Sequence, residues 1–295
     1  MAAVETVLDA ARAAGRPSLV GYVTGGVRPD WPELVAAIAE AGADAVEIGL
    51  PFSDPMIDGP VIQESSARAI AAGATTESIL AGLRAAGLGR PGPAASGAGG
   101  SGAAASGPGP SRPAGVPLIA MAYANHAYRA GLTRYLAMLA DAGFSGVIIP
   151  DLPVAESAAY RAAAEATGLD ATLMVTPATP EPQVRAIAGA TRGFLYVMSI
   201  MNTTGPARLN GADPGYELAD RARALSTRPT LIGFGIDGPA RAAAAARHAD
   251  GVIVGSALTR PVLDGQTPAQ VGAAVAAIRQ AIDQAVGQAV DGARS

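Results

Sequence analysis

The stretch VEIGLPFSDPMIDGP, residues 46–60, starts as an apolar strand and continues as a loop punctuated by Pro51, Pro55, Gly59 and Pro60. Strand alternation puts Ala45, Glu47 and Gly49 on one face and Val46, Ile48 and Leu50 on the other. The second face is wholly apolar and is expected to meet covering helices, so Glu47 points the opposite way. A strand buried on both faces belongs to a parallel sheet covered by helices rather than to a half-solvated antiparallel one. The loop that follows brings two further carboxylates, Asp54 and Asp58.

The same unit recurs on either side. Val4 to Ala14 keeps helical spacing and stops at Gly15 and Pro17; Ser18 to Val23 (SLVGYV) is an apolar strand, and Pro29 to Ala41 a helix with Pro32 in its first turn. Beyond the second strand, Asp44 to Leu50, helices are expected over 62–71 and 76–86. Further apolar strands fall at Pro117 to Tyr123, Gly146 to Pro150, Ala171 to Thr176, Gly193 to Ser199, Thr230 to Gly235 and Asp250 to Gly255. Helical segments at 132–142, 155–167, 181–188, 216–225 and 240–247 separate them. Eight short apolar strands, each followed by a helix, predict a (β/α)₈ TIM barrel with an N-terminal lead-in helix, a single domain over residues 1–295. A doubly wound open sheet is the competing architecture, but TGGVRPDW after the first strand lacks the G-x-G-x-x-G spacing of a dinucleotide turn.

One segment departs from the scheme. Between Gly89 and Ala114, 24 of 26 residues are Gly, Ala, Ser or Pro, too little apolar surface to offset the chain entropy of folding. A disordered insert before strand three is expected there, at the bottom of the barrel and opposite the face that carries chemistry.

Composition narrows the function classes. The chain has 295 residues, 49% of them hydrophobic, and a formal net charge of −4, with no basic cluster to track a phosphate backbone, so nucleic acid is not an expected partner. Cysteine is absent, which excludes disulfides and thiolate metal sites. The N-terminal MAAVETVLDAARAAG lacks the apolar region of a secretory signal, and no run of about 20 apolar residues could span a membrane. A soluble cytoplasmic protein is expected.

Catalytic groups of such barrels lie at the C-terminal ends of strands and in the loops after them. An inward Glu47 is costly to keep charged unless paired or hydrated, leaving two readings: a structural ion pair, or a general acid/base of raised pKa. Asp54 and Asp58, beside Pro and Gly, read by spacing alone as turn formers or caps. Asp151, ending strand four, either lines the pocket or holds a loop. Trp31 reads as packing, and His126 as a surface or interface residue. Gly233-Phe234-Gly235-Ile236 after strand seven and Gly255-Ser256-Ala257 after strand eight offer backbone N–H groups where barrels frequently bind phosphate, with Gly205 after strand six as a third donor. A phosphorylated substrate is expected.

Taken together, EIGLPFSDPMIDGP, MAYAN, PDLPVAES, GFGI and GSA resemble the α subunits of tryptophan synthases, over nearly the whole chain apart from the insert. The resemblance implies retro-aldol cleavage of indole-3-glycerol phosphate to indole and glyceraldehyde 3-phosphate, without metal or cofactor. It also implies an α2β2 heterotetramer with a β subunit. It makes Glu47 the acid/base at indole C3 and Asp58 the group at the indole N–H. Tyr22 and Tyr196 become walls of the indole pocket; Thr204, Gly205, Gly235, Gly255 and Ser256 become substrate-binding positions; Asp54 and Asn125 face the β subunit. The loop after strand six departs from the family's Gly-Val-Thr-Gly, with Asn202-Thr203 before Thr204-Gly205. That departure permits one alternative, a stand-alone lyase of a specialised pathway; a second, a catalytically silent partner that regulates a β subunit, is opposed by the retention of both Glu47 and Asp58.

Overall fold

The computed structural model describes residues 4–88, 116–199, 214–233 and 235–292. The Gly/Ala/Ser/Pro stretch and its expected disorder lie outside the described residues. Eight parallel strands form a closed barrel in sequence order: β1 (Ser18–Thr24), β2 (Ala45–Gly49), β3 (Leu118–Met121), β4 (Phe144–Ile148), β5 (Asp170–Val175), β6 (Leu195–Met198), β7 (Thr230–Gly233) and β8 (Gly251–Val254). β8 pairs back onto β1, which removes both sheet edges.

Helix α1 (Val4–Ala13) precedes the barrel, and α2 (Trp31–Glu40), α3 (Pro60–Ala71) and α4 (Thr76–Ala85) follow the first two strands. Next come α5 (Ala124–Ala130), α6 (Leu132–Asp141), α7 (Ser157–Thr167), α8 (Glu181–Ala190), α9 (Pro214–Leu225) and α10 (Pro239–Ala245). The chain closes with α11 (Ser256–Leu263) and α12 (Pro268–Gly292). Prolines open several of these helices, where the missing N–H costs nothing. Helix α4 instead starts with a reciprocal cap: the Ser78 N–H donates to Thr75 Oγ1 at 3.1 Å and the Thr75 N–H to Ser78 Oγ at 2.9 Å.

The core divides as strand alternation requires. Val46, Ile48 and Leu50 join the layer between sheet and helices, whereas Ala45 belongs to an inner cluster with Val20, Tyr22, Ile119, Ile148, Phe194, Tyr196, Leu231 and Ile253. Val4 and Leu8 of α1 belong to that inner cluster, so the lead-in helix closes the bottom of the barrel. It is stapled there through polar groups: the Glu5 N–H donates to Asp170 Oδ2 at 3.1 Å, the Gly193 N–H donates to Glu5 Oε2 at 3.2 Å, and Arg228 pairs with the Glu5 carboxylate. Trp31 packs at 6% exposure with its ring against Gly82 of α4, in line with its reading as a packing residue.

Three helices go beyond the sequence reading. α5 follows directly on β3, and α11 and α12 continue the chain after β8, α12 packing on α2 and α10. Strand β6 is shorter than the expected 193–199 at both ends. Gly193 turns at φ 76°, and the N–H and Oγ of Ser199 both donate to the Gly233 carbonyl, at 3.1 and 3.0 Å. Among the described residues no helix is long and apolar enough to cross a membrane.

Candidate active site

Glu47 is the third residue of β2, paired in register with Tyr22 of β1 and Ile119 of β3. It is 2% exposed, and its Oε2 is buried without a hydrogen-bond partner. Among the described residues no arginine pairs with it, which speaks against the ion-pair reading of Glu47. Burial, reinforced by the negative charge of Asp58, pushes its carboxyl up to about 8. At neutral pH Glu47 is therefore a protonated acid held in an apolar barrel.

Asp58 reaches the same space from the β2–α3 loop. Its N–H donates to the Pro55 carbonyl at 3.1 Å, its own carbonyl accepts from Gln63 Nε2 at 2.8 Å, and Gly59 then caps α3. The side chain is half-buried and accepts a hydrogen bond on Oδ2 from the Tyr123 hydroxyl at 3.0 Å. Burial raises the carboxyl to about 6, while the Tyr123 hydrogen bond holds it down. The two carboxyl groups thus carry opposite protonation states near pH 7, which is the arrangement needed to divide proton donation from proton acceptance.

Tyr22 and Tyr196 flank this pair, at 6% and 3% exposure. Both phenols are pushed up chiefly by burial, and both feel the charges of Glu47 and Asp58. Their seating repeats around the barrel. A Cβ on Gly49 would lie 1.9 Å from the Tyr22 hydroxyl oxygen, and one on Gly233 would lie 2.3 Å from that of Tyr196. In each case an inward tyrosine leans over a glycine of the next strand, which has no side chain to oppose it. The Tyr22 hydroxyl accepts from Thr24 Oγ1 at 3.3 Å, and Thr24 Oγ1 is 2.6 Å from Ser65 Oγ. Met121 and Ile62 complete the apolar lining.

Of the glycines after the last strands, Gly255 is also here. Gly255 caps α11 directly beside Tyr22, its missing Cβ 4.0 Å from Tyr22 Cβ, and Ser256 is the first residue of that helix. The first N–H groups of a helix have no intrahelical acceptor and form the positive end of its dipole. Gly235 is exposed and turns at φ 70°, a conformation that favours glycine. Thr204, Gly205 and Phe234 lie outside the described residues.

Asp54 and Asn125 are both exposed, Asp54 beside a Met56 that is 85% exposed. The β2–α3 loop and the start of α5 are joined by aromatic contacts: Phe52 stacks on Tyr123 at 4.9 Å and meets His126 edge-on at 5.2 Å. His126 is half-buried at that contact. Of the two readings of Asp151 the loop-holding one is seen, because its Oδ1 accepts the Ala124 N–H at 2.8 Å. The residue that sequence reasoning missed is Tyr123, present in the MAYAN motif but without a role there. Among the described residues no group of three or more His, Asp or Glu could hold a metal ion.

Comparison with known proteins now bears on this geometry. The family described as "Tryptophan synthase alpha chain" matches residues 8–89 and 111–287. The chain belongs to the tryptophan synthase alpha chain family. Its matched segments contain both carboxylates and all the candidate residues named above, and they break inside the Gly/Ala/Ser/Pro stretch. The tryptophan synthase alpha chain of Geotalea daltonii is 36% identical over 83% of this chain and 84% of its own length. That of Streptomyces coelicolor is 36% identical over 87% of this chain and 86% of its own. Among solved structures, ligand-free tryptophan synthase from M. tuberculosis superposes with a TM-score of 0.77 at 30% identity, covering 95% of this chain and 98% of its own. The alpha subunit from Legionella pneumophila gives 0.75 at 28% identity, covering 96% and 99%.

Proposed function

We propose that this alpha chain cleaves indole-3-glycerol phosphate to indole and glyceraldehyde 3-phosphate, with Glu47 and Asp58 as its acid and base. The observation that carries the reading is the opposed pair itself: a buried Glu47 with an unpartnered oxygen, pushed up to about 8, and a Tyr123-bonded Asp58 at about 6.

The carbon–carbon bond to be broken joins indole C3 to the glycerol chain. The electron pair of that bond cannot leave onto an intact indole, because the ring offers no electron sink until protonation at C3 creates an N1=C2 iminium. Glu47, protonated, gives its proton to C3 while Asp58 accepts the hydrogen bond of N1–H and stabilises the iminium charge that forms there. The glycerol hydroxyl next to the bond then surrenders its proton to the Glu47 carboxylate, the C–O bond becomes a carbonyl, and the bonding pair moves to C3 and restores the indole ring. Protons and electrons balance, and Glu47 returns to its starting state. Each such transfer by a positioned side chain is worth roughly 10²–10⁴-fold.

The remaining roles are those the family resemblance implies. Tyr22 and Tyr196 wall the flat ring, and Thr204, Gly205, Gly235, Gly255 and Ser256 take the phosphate through backbone N–H groups and hydroxyls. Asp54 of the β2–α3 loop and Asn125 of α5, both exposed, contact a β subunit in an α2β2 assembly. The reading takes the chain as one barrel domain acting in the cytoplasm, without a metal or cofactor of its own. It is tested by mixing purified protein with indole-3-glycerol phosphate and following indole, with and without a β subunit. Indole release supports the reading; none under either condition refutes it.

A further inference from the structure

The Tyr123 hydroxyl grips two consecutive residues of the β2–α3 loop. It accepts the Ile57 N–H at 3.3 Å and donates to Asp58 Oδ2 at 3.0 Å. Its ring stacks on Phe52, at the start of the same loop, at 4.9 Å and 25°. The loop is therefore folded around one buried side chain, 4% exposed, that belongs to the neighbouring strand connection.

That side chain is itself anchored from behind. Ala122 donates its N–H to the Ile148 carbonyl of β4 at 3.0 Å, and Asp151 holds the Ala124 N–H at 2.8 Å. The residues before and after Tyr123 are thus tied to β4 and its loop, so the tyrosine is a fixed post rather than a passenger of the β2–α3 loop.

The direction of the hydroxyl proton follows from its partners. Because the Ile57 amide can only donate, it occupies a lone pair of the phenol oxygen, and the single O–H is free for Asp58. A donor aimed at Oδ2 favours the ionised carboxylate over the neutral one and commits that oxygen. Among the described residues Oδ1 has no such partner, which leaves it for a ligand N–H. We propose that Tyr123 is a positioning residue that holds Asp58 as an oriented carboxylate with Oδ1 presented to the substrate. This deepens, and rests on, the role given above to Asp58.

Asp58 shares its surroundings with Glu47 from β2, Tyr22 from β1, Tyr196 from β6 and Tyr123. Among these partners only Tyr123 lowers its proton affinity; burial raises it. Removing the hydroxyl while keeping the ring therefore has a readable sign.

The experiment is Tyr123→Phe, with Asp58 titrated by carboxyl NMR in aspartate-labelled protein and its signal assigned by Asp58→Asn. The Asp58 midpoint is expected to rise by about one pH unit or more, as for loss of a hydrogen bond to a charged group. With substrate, kcat is expected to fall about tenfold or more while KM changes far less, and the acid limb of the profile moves up with the Asp58 midpoint. In an Asp58→Asn background the same substitution should add nothing. An unmoved Asp58 midpoint, or a raised midpoint with an unmoved acid limb, overturns the proposal. The NMR titration needs no turnover, so a wild-type protein that releases no indole would refute the lyase reading, and with it the substrate role of Oδ1, while an unmoved Asp58 midpoint in Tyr123→Phe would refute the hold of Tyr123 on Asp58 by itself.

Discussion

The Tyr22 hydroxyl occupies the space that a side chain on Gly49 would need, 1.9 Å from where its Cβ would stand. Glycine at that position is what lets the tyrosine lean over β2 toward Glu47. Gly49→Ala is expected to displace the ring or the strand, at a cost of about 1–3 kcal/mol, with loss of activity. Urea unfolding measures the cost. Adding Tyr22→Ala should recover part of it, and strictly additive effects would contradict the steric account.

A bell-shaped dependence of kcat/KM on pH is expected. Activity rises as Asp58 ionises, near 6, and falls as Glu47 loses its proton, near 8. Initial rates across pH 5–9 check both limbs. A flat response over that range would count against the two carboxyl groups as the titrating pair.

Glu47→Gln is expected to lower turnover by roughly 10²–10⁴-fold while substrate still binds. Its effect on stability has the opposite sign. The folded protein holds the Glu47 proton up to about 8, whereas an unfolded glutamate releases it near 4.5. Between those values the native state binds more protons than the unfolded one, so Glu47 makes stability fall as pH rises through that window. Glutamine keeps the shape without the charge. The variant should be more stable than wild type by at least about 1 kcal/mol at pH 8 and little different at pH 5, as thermal unfolding at the two values would show.

Asp151→Ala removes the acceptor of the Ala124 N–H. A bond of this kind contributes about 1–3 kcal/mol. Hydrogen exchange at the Ala124 amide should quicken, and overall stability should fall by that order. Unchanged protection of Ala124 would show that Asp151 does not hold the loop.

The barrel was legible because its strands are continuous apolar runs, and because the alternation around Glu47 leaves one face wholly apolar. The same alternation puts Glu47 inside without any knowledge of its neighbours. Asp58 was not legible in that way. Its environment depends on Tyr123, 65 residues distant, and an aromatic residue just past a strand reads as packing until the fold brings its hydroxyl to a carboxylate. The contact of His126 with Phe52 was not legible for a similar reason, since it joins α5 to a loop far away in sequence. Helix α11 escaped because Pro261 interrupts its pattern from within. Short-range periodicity reports which face a residue takes, whereas proton affinity is decided by whatever the folded chain places opposite.

Helix α1 lies at the other end of the molecule from both carboxyl groups, with Val4 and Leu8 set into the barrel interior and Glu5 stapled to Asp170, Gly193 and Arg228. Glu47 keeps its proton near neutrality chiefly because water is kept from it, and that dryness requires a floor as well as walls. The first turns of the chain thereby help to set the acidity of a group at the opposite mouth, without touching it, by acting as a stopper in the base of the vessel.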